Sequence, residues 1–318
     1  MSLNGYEALR GGSAWIDLTT RGKIRVTGED AGRLLHAMTT NNIKDLVPGA
    51  GLYAFFLNDK GRILADANIF RVGNEYWLDT EPETAAKIHH LLDKYIIADD
   101  AEVKDETALW FEVGIEGPDS AAILEQLGLP VPEKPLEIVA TGWGYVARAT
   151  VAGPLGFRVW ASDGKRVELW DQLTTAGIPQ AFEDDVKVVR LEHGVPRYGE
   201  DISERYLVQE TQALHGVHFN KGCYLGQEIV ERVRSRGQVH RLLTALRVEG
   251  HVPPPAGAKL VLAKPVLDET SLGEITSSAY SPAFKEVVAL AYMRSEALTQ
   301  RPEMLVAGTD PGVRAQIA

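Results

Sequence analysis

Hydrophobic and polar residues alternate in Lys23-Ile-Arg-Val-Thr27, the two-residue period of a half-buried strand. The period then lengthens. After Gly28-Glu-Asp30, residues Ala31, Leu34, Leu35 and Met38 fall on one face of a helix, with Asp30 at its N-cap. A helix over 6–10 and a strand over 14–18 precede them. Apolar runs over 52–57 and 63–70 flank Asn58-Asp-Lys-Gly61, a composition that predicts a hairpin turn. A strand over 75–80 follows, and Pro82 opens a helix that continues through 87–92. Residues 182–192 read as an amphipathic helix, ended by Gly194 and Pro196. From 197 to 219 the chain is polar and irregular. After His240 come short strand patterns over 242–248, 259–262, 272–280 and 287–293. They predict a small antiparallel barrel of roughly 80 residues.

A faint repeat runs through the first half. Ile24-Arg-Val-Thr-Gly-Glu-Asp-Ala-Gly-Arg-Leu-Leu35 is similar to Val113-Gly-Ile-Glu-Gly-Pro-Asp-Ser-Ala-Ala-Ile-Leu124. Both read as strand, glycine, acid and an aliphatic pair opening a helix. Each is followed later by another strand and helix. Two related α+β units sharing an antiparallel sheet would account for the pattern.

Composition narrows the class. The 318 residues are 45% hydrophobic and 24% charged, which excludes a disordered or low-complexity chain. The longest apolar runs fall far short of the roughly 18 residues of a membrane helix. The N-terminus lacks the apolar core of a signal peptide, so a cytoplasmic location is expected. The net charge of −11 argues against a broad phosphate-tracking surface, and no nucleic-acid or membrane partner is expected. A single cysteine excludes an internal disulfide, a CxxC zinc site and a self-contained cysteine-ligated cluster. No permanently bound metal is expected.

The chemistry is densest in Asn220-Lys-Gly-Cys-Tyr-Leu-Gly-Gln-Glu-Ile-Val-Glu-Arg-Val-Arg-Ser-Arg-Gly237. Cys223 sits between Gly222 and Gly226, which permit tight turns. Gln227 or Glu228 can start a helix that aligns Glu228, Arg232 and Arg236 on one face. A thiol beside Lys221 and near a helix N-terminus is placed where thiolate is favoured. A small buried cysteine and a solvated helix face are the plainer alternatives. His89-His90 point about 100° apart on a helix, so they share no metal. His215 and His218 lie near the motif, where surface histidines are the commoner case. Gly28-Glu-Asp and Gly117-Pro-Asp lack phosphate-loop spacing.

Lys221-Gly-Cys-Tyr-x-Gly-Gln-Glu228, with Arg232 and Arg236-Gly237 beyond it, resembles the signature of the YgfZ family. These are folate-binding proteins tied to iron–sulfur cluster maintenance and related to the aminomethyltransferase (T-protein) of the glycine cleavage system. The resemblance spans the chain. Asp17-Leu-Thr-Thr, Thr39-Thr-Asn-Asn42, Arg190-Leu-Glu-His-Gly-Val-Pro196 and the stretch from Leu272 to Pro282 are similar to T-protein segments. The resemblance implies an α+β fold: a three-domain ring with two related α+β units and a C-terminal antiparallel β-barrel. The corresponding boundaries are 1–105 for a folate-binding unit, 106–180 for the second unit, 181–238 for the helix and motif segment, and 239–318 for the barrel. Parts of 180–238 would pack on the first unit.

The resemblance also implies a tetrahydrofolate pocket. Asp66, in Gly61-Arg-Ile-Leu-Ala-Asp66, matches the T-protein strand whose aspartate lies beside the reactive folate nitrogen. Tyr224, Gln227, Glu228, Arg232 and Arg236 are carried over as further cofactor-binding residues. Cys223, Lys221 and Asp66 are carried over as the chemically active ones. One departure stands out: where T-proteins have Gly-Phe-Glu at the pterin, this chain has Gly156-Phe-Arg158. The expected function is a tetrahydrofolate-binding accessory protein supporting assembly or repair of iron–sulfur clusters, with client or assembly proteins as partners and Cys223 as its thiol. The alternatives are a folate-dependent aminomethyltransferase or demethylase, and a scaffold that docks partners without folate.

Overall fold

A computed structural model describes residues 3–237, 239–263, 271–309 and 312–318. Its first half holds two five-stranded antiparallel sheets instead of one shared sheet. Across the first, the order is Gly51–Leu57, Ile63–Val72, Glu75–Thr80, Gly22–Thr27 and Glu102–Asp105. Across the second, it is Ile138–Ala140, Gly144–Ala147, Gly156–Ser162, Trp110–Glu116 and Ala14–Asp17. The two orders correspond strand for strand, and the sequence repeat lies on corresponding strands. Ile24 faces Leu78 across its ladder as Val113 faces Val159.

The repeated glycines show why the pattern recurs. Gly28 and Gly117 both have positive φ, at 106° and 123°. A Cβ on Gly28 would overlap the carbonyl of Asp100, and one on Gly117 would overlap that of Gly12. Two residues on, the N–H groups of Asp30 and Asp119 donate to those same two carbonyls, each at 2.9 Å. Only glycine lets the chain come this close before the helix begins. Asp30 occupies the N-cap position, but its side chain does not cap the helix. Its carboxylate accepts from Asp100 N–H and Arg33 instead.

The strand at the edge of each sheet comes from outside the repeat. Ala14–Asp17, ahead of the first unit, pairs antiparallel with Trp110–Glu116 of the second. Each sheet buries one face under its own helices. Ala65, Ala67 and Ile69 of the first sheet meet Leu35 and Ile88. Val113, Ile115 and Val159 of the second meet Leu124 and Leu169. Fully burying an aliphatic or aromatic side chain contributes about 1.5–3 kcal/mol, so these faces supply much of the folding free energy. The opposite faces look toward each other across an aromatic cluster that includes Phe70, Trp77 and Trp160.

The C-terminal strands close a six-stranded antiparallel barrel. Four match the predicted runs; Met304–Val306 and Val313–Ile317 complete the closure. The Arg190-to-Pro196 segment joins barrel to sheets. Arg190, on the helix Glu183–Glu192, pairs with Asp201 at 2.7 Å, and Asp201 also accepts from Thr276 and Ser277 of the barrel. Glu192 accepts from Tyr6 and Ser281. Both charged residues of that motif are clamps between units. Among the described residues, no helix is long and apolar enough to cross a membrane.

Candidate functional site

Side chains alternate along the strands, so the face opposite the first sheet's core presents Tyr53, Asp66, Asn68 and Asp79. These border a cavity of about 770 Å³, bounded on its other sides by Arg158, Arg190 and the segments around Arg197 and His215. That volume is in the range of small-molecule sites.

Asp66 is 9% exposed. Tyr53 donates its hydroxyl hydrogen to Asp66 Oδ2 at 2.6 Å. Asp66 Oδ1 has no protein donor among the described residues. Burial pushes the Asp66 carboxyl up to about 6, outweighing the Tyr53 hydrogen bond; Glu81 and Asp79 add to the rise. Burial likewise raises Tyr53 well above an ordinary phenol, and Asp66 adds to it. The pair can therefore hold or exchange a proton near neutral pH and accept a donor from a ligand.

A buried charge network floors the cavity. Arg158 reaches from the second sheet to the first and pairs with Asp79 at 2.5 Å and Glu112 at 3.3 Å. It also donates to the carbonyl of Thr150 at 3.0 Å. Arg21 approaches Asp79 from the other side at 2.6 Å and pairs with Glu81. Lys23 and Glu112, at matching positions of the repeat, pair with each other at 3.1 Å. Burial opposes ionisation of Asp79, yet Arg158 and Arg21 hold its carboxyl below the usual range. Arg158 thus enters an ion-pair network between the sheets and brings no unpaired charge to the cavity.

The Cys223 loop lies apart from this cavity. Lys221 is buried, and its Nζ donates to the carbonyls of His36, Thr39 and Asn41 at 2.5–2.7 Å. The helix Ala31–Met38 ends there, and the ammonium satisfies the free carbonyls of its last turn. Burial lowers the Lys221 pKa to about 7, and Lys44 adds to the fall. At the other end, Gly226 has φ +82°, and a Cβ there would come within 2.6 Å of the Asn58 carbonyl. The loop is therefore pinned to a helix end on one side and to the predicted hairpin turn on the other. Between the pins Cys223 is exposed. The expectation that Lys221 activates the thiol is corrected: its charge is spent on three carbonyls inside the protein.

The other motif residues also stay out of the cavity. Tyr224 is 8% exposed, packs in the core and has a buried hydroxyl without a partner among the described residues. Its ring lies under the Lys221 ammonium at 5.0 Å. Gln227, Glu228 and Arg232 lie on the helix Gln227–Arg236, which leans on the hairpin through Ile229 and on Gln209 through the Val230 carbonyl. Glu228 and Arg232 are exposed on that helix. The Arg236 side chain lies outside the described residues. The structure does not bring these four residues to Asp66, because the helix packs behind the hairpin.

Two cavity residues escape the motif reading. Tyr53 had half a signal: the turn at 58–61 pairs Leu57 with Ile63, but a bulge between Phe56 and Leu57 shifts the ladder by one residue, and only that shift sets Phe55 opposite Asp66 and Tyr53 two residues away on the same face. His215 had none. It is an exposed loop histidine, as the sequence suggests, and it also borders the cavity beside Tyr53. Among the described residues, no group of three or more His, Cys, Asp or Glu is placed to hold a metal ion.

Comparison with known proteins places this geometry. Residues 3–221 match the GCVT N-terminal domain and residues 241–317 the glycine cleavage T-protein C-terminal barrel domain. An aminomethyltransferase of Streptomyces coelicolor is 30% identical over 305 residues, covering 91% of this chain and 80% of that protein. One from Streptomyces avermitilis is 28% identical, covering 90% and 79%. The crystal structure of glycine cleavage system aminomethyltransferase T from Bartonella henselae superposes with a TM-score of 0.90 at 20% identity, over 99% of this chain and 87% of that one. The fold, with its closed six-stranded barrel, is that of the T-proteins, and the chain belongs to the glycine cleavage T-protein family.

Proposed function

We propose that this chain binds a reduced folate in the cavity at Asp66 and supports iron–sulfur cluster assembly or repair through Cys223, as a YgfZ-like member of the family. The observation that carries the ligand reading is the unpartnered Asp66 Oδ1 on the wall of a cavity of about 770 Å³. A reduced folate carries an edge of N–H donors, a flat ring and two terminal carboxylates. Asp66 accepts from the donor edge, Tyr53 supplies an aromatic wall, and Arg148 and Lys187 border the cavity as cations for the carboxylates. Arg148 has no carboxylate within ion-pair distance among the described residues, and Lys187 shares Glu200 at 3.2 Å. When bound, the folate supplies a one-carbon acceptor. The protein's part is to hold and orient it and to exchange a proton at Asp66.

Cys223 supports the second half of the reading. An exposed thiol on a loop pinned at both ends is presented to a partner without being mobile. It can supply one ligand of a cluster shared with a client, or take part in thiol exchange. Glu228 and Arg232, exposed on the helix that follows the loop, would offer that client polar contacts.

Relatives named as aminomethyltransferases favour a second reading, a folate-dependent transferase in which Asp66 orients substrate and exchanges its proton. The arginine at 158, tied up with Asp79, weighs against it. Two variants separate the readings. In cells lacking this protein, Cys223→Ala should fail to restore iron–sulfur enzyme activity under the accessory reading, with tetrahydrofolate affinity unchanged. Full rescue by Cys223→Ala, together with methylene-tetrahydrofolate formation that Asp66→Ala abolishes, would install the transferase reading in its place.

A further inference from the structure

We propose that His215 is a ligand-stacking residue of the cavity: its imidazole, laid against the Tyr53 ring, forms a shelf for the flat heteroaromatic ring whose edge Asp66 binds. The proposal rests on the folate reading above and adds a residue that no motif marks. The two rings stack, with centroids 5.2 Å apart and planes 29° from parallel. Tyr53 is itself fixed by its hydrogen bond to Asp66.

His215 is held there by several independent devices. Asn41 Nδ2 donates both to the Tyr53 carbonyl at 2.8 Å and to the His215 carbonyl at 3.1 Å, tying strand and loop together. Thr40 donates its hydroxyl hydrogen to the Gly216 carbonyl at 2.6 Å and accepts from the Phe55 N–H at 2.9 Å. Gly216 then lies flat on the aromatic pair. A Cβ there would come within 2.8 Å of the Tyr53 ring and 2.9 Å of the Phe55 ring. A loop locked this closely fixes the neighbouring imidazole in place.

The ring is also free for a ligand. Among the described residues, neither His215 nitrogen has a hydrogen-bond partner, and the side chain borders the cavity. Burial alone lowers its pKa, so a neutral, flat π surface faces the cavity at physiological pH. Asp66, on the same wall, then meets the ring's donor edge.

The test is calorimetric titration of the whole chain with 5-formyltetrahydrofolate, using wild type, Asp66→Asn, His215→Ala, His215→Phe and His215→Asn, each checked by thermal melting. His215→Ala should weaken binding about 10-fold, equivalent to about 1.4 kcal/mol. His215→Phe should stay within about threefold of wild type, and His215→Asn should behave like His215→Ala. Pterin-6-carboxylate should repeat this order, while p-aminobenzoylglutamate, which lacks the pterin ring, should not distinguish the variants. Unchanged affinity in His215→Ala, with binding lost in Asp66→Asn, would overturn the shelf and leave the folate reading standing. Recovery by Asn but not Phe would overturn it too, in favour of a hydrogen-bonding role. Binding of pterin-6-carboxylate but not the folate, weakened by His215→Ala, would keep the shelf and refute the folate reading. Failure of wild type to bind either ring would refute both.

Discussion

The two five-stranded sheets share one strand order and one glycine-acid entry to the first helix, yet only the first presents Tyr53 and Asp66 to the cavity. The difference lies on the faces that look at each other. In the first sheet Trp77 and Asp79 occupy the facing positions of the strand Glu75–Thr80. In the second, Arg158 and Trp160 occupy the matching positions, with charge and indole exchanged. Arg158 therefore meets Asp79, and the tryptophans meet in the cluster between them. The strand Ile63–Val72 also runs on past its counterpart Gly144–Ala147, and Asp66 sits in the extension. By register its equivalent is Trp143, in a turn, packed against the second unit's own core. A duplicated scaffold can thus keep its buried faces alike while the facing surfaces divide the work: one presents Tyr53 and Asp66 to the cavity, the other braces that wall.

The largest effect should come from removing the brace. Arg158→Met leaves Asp79 and Glu112 buried with one cation fewer each, and unpairing a buried charge costs about 3–5 kcal/mol. Urea unfolding should show that loss. A loss under about 1 kcal/mol would mean that Arg21 and Lys23 neutralise the two carboxylates alone, and that the sheets are not coupled through Arg158.

The glycines test how deep the likeness goes. Gly28→Ala and Gly117→Ala each force a Cβ onto a neighbouring backbone carbonyl at positive φ. Overpacking and the left-handed backbone together predict a cost of about 2–4 kcal/mol for each. The two losses should agree within about 1 kcal/mol by thermal unfolding. A neutral Gly117→Ala beside a damaging Gly28→Ala would confine the shared entry to sequence, not energetics.

Much of this was legible in the chain because it is local. Apolar and alternating runs place four strands of the first sheet and four of the barrel, and the 58–61 turn marks the hairpin that carries Asp66, but no run marks Glu102–Asp105, Ile138–Ala140 or Gly144–Ala147. The repeat shows two related units. What the chain does not display is pairing between distant segments. Nothing near Ala14–Asp17 says that it completes the second sheet, because a short strand carries no mark of its neighbour. The same holds for Arg158, whose meaning changes from a lost pterin contact to a bridge only when Asp79 is seen opposite it. Lys221 and Cys223 are separated only by Gly222 in sequence, and that closeness invites a shared role. The loop instead turns one into the protein and the other out. His215 needed the whole path of the 213–217 segment across the first sheet.

The smallest effect runs in the opposite direction and belongs to the sheet that carries Asp66. Asp66 has a folded pKa of about 6, against about 3.9 for an unfolded aspartate. Between those values the folded chain binds more protons than the unfolded one, so stability falls as pH rises through that window. Below about pH 4 both states are protonated and the contribution is fully present; above about pH 6 it is lost. Asparagine mimics the protonated form and can still accept the Tyr53 hydrogen bond. Asp66→Asn should therefore be more stable than wild type at pH 7.5 by about 2 kcal/mol, with the gap closing toward pH 4. Urea titrations at three pH values would show it. A gap of constant size, or one that widens on acidification, would mean that burial does not hold the proton on Asp66. The cavity-facing sheet would then carry no stability cost that its twin, with Trp143 at the matching place, has avoided.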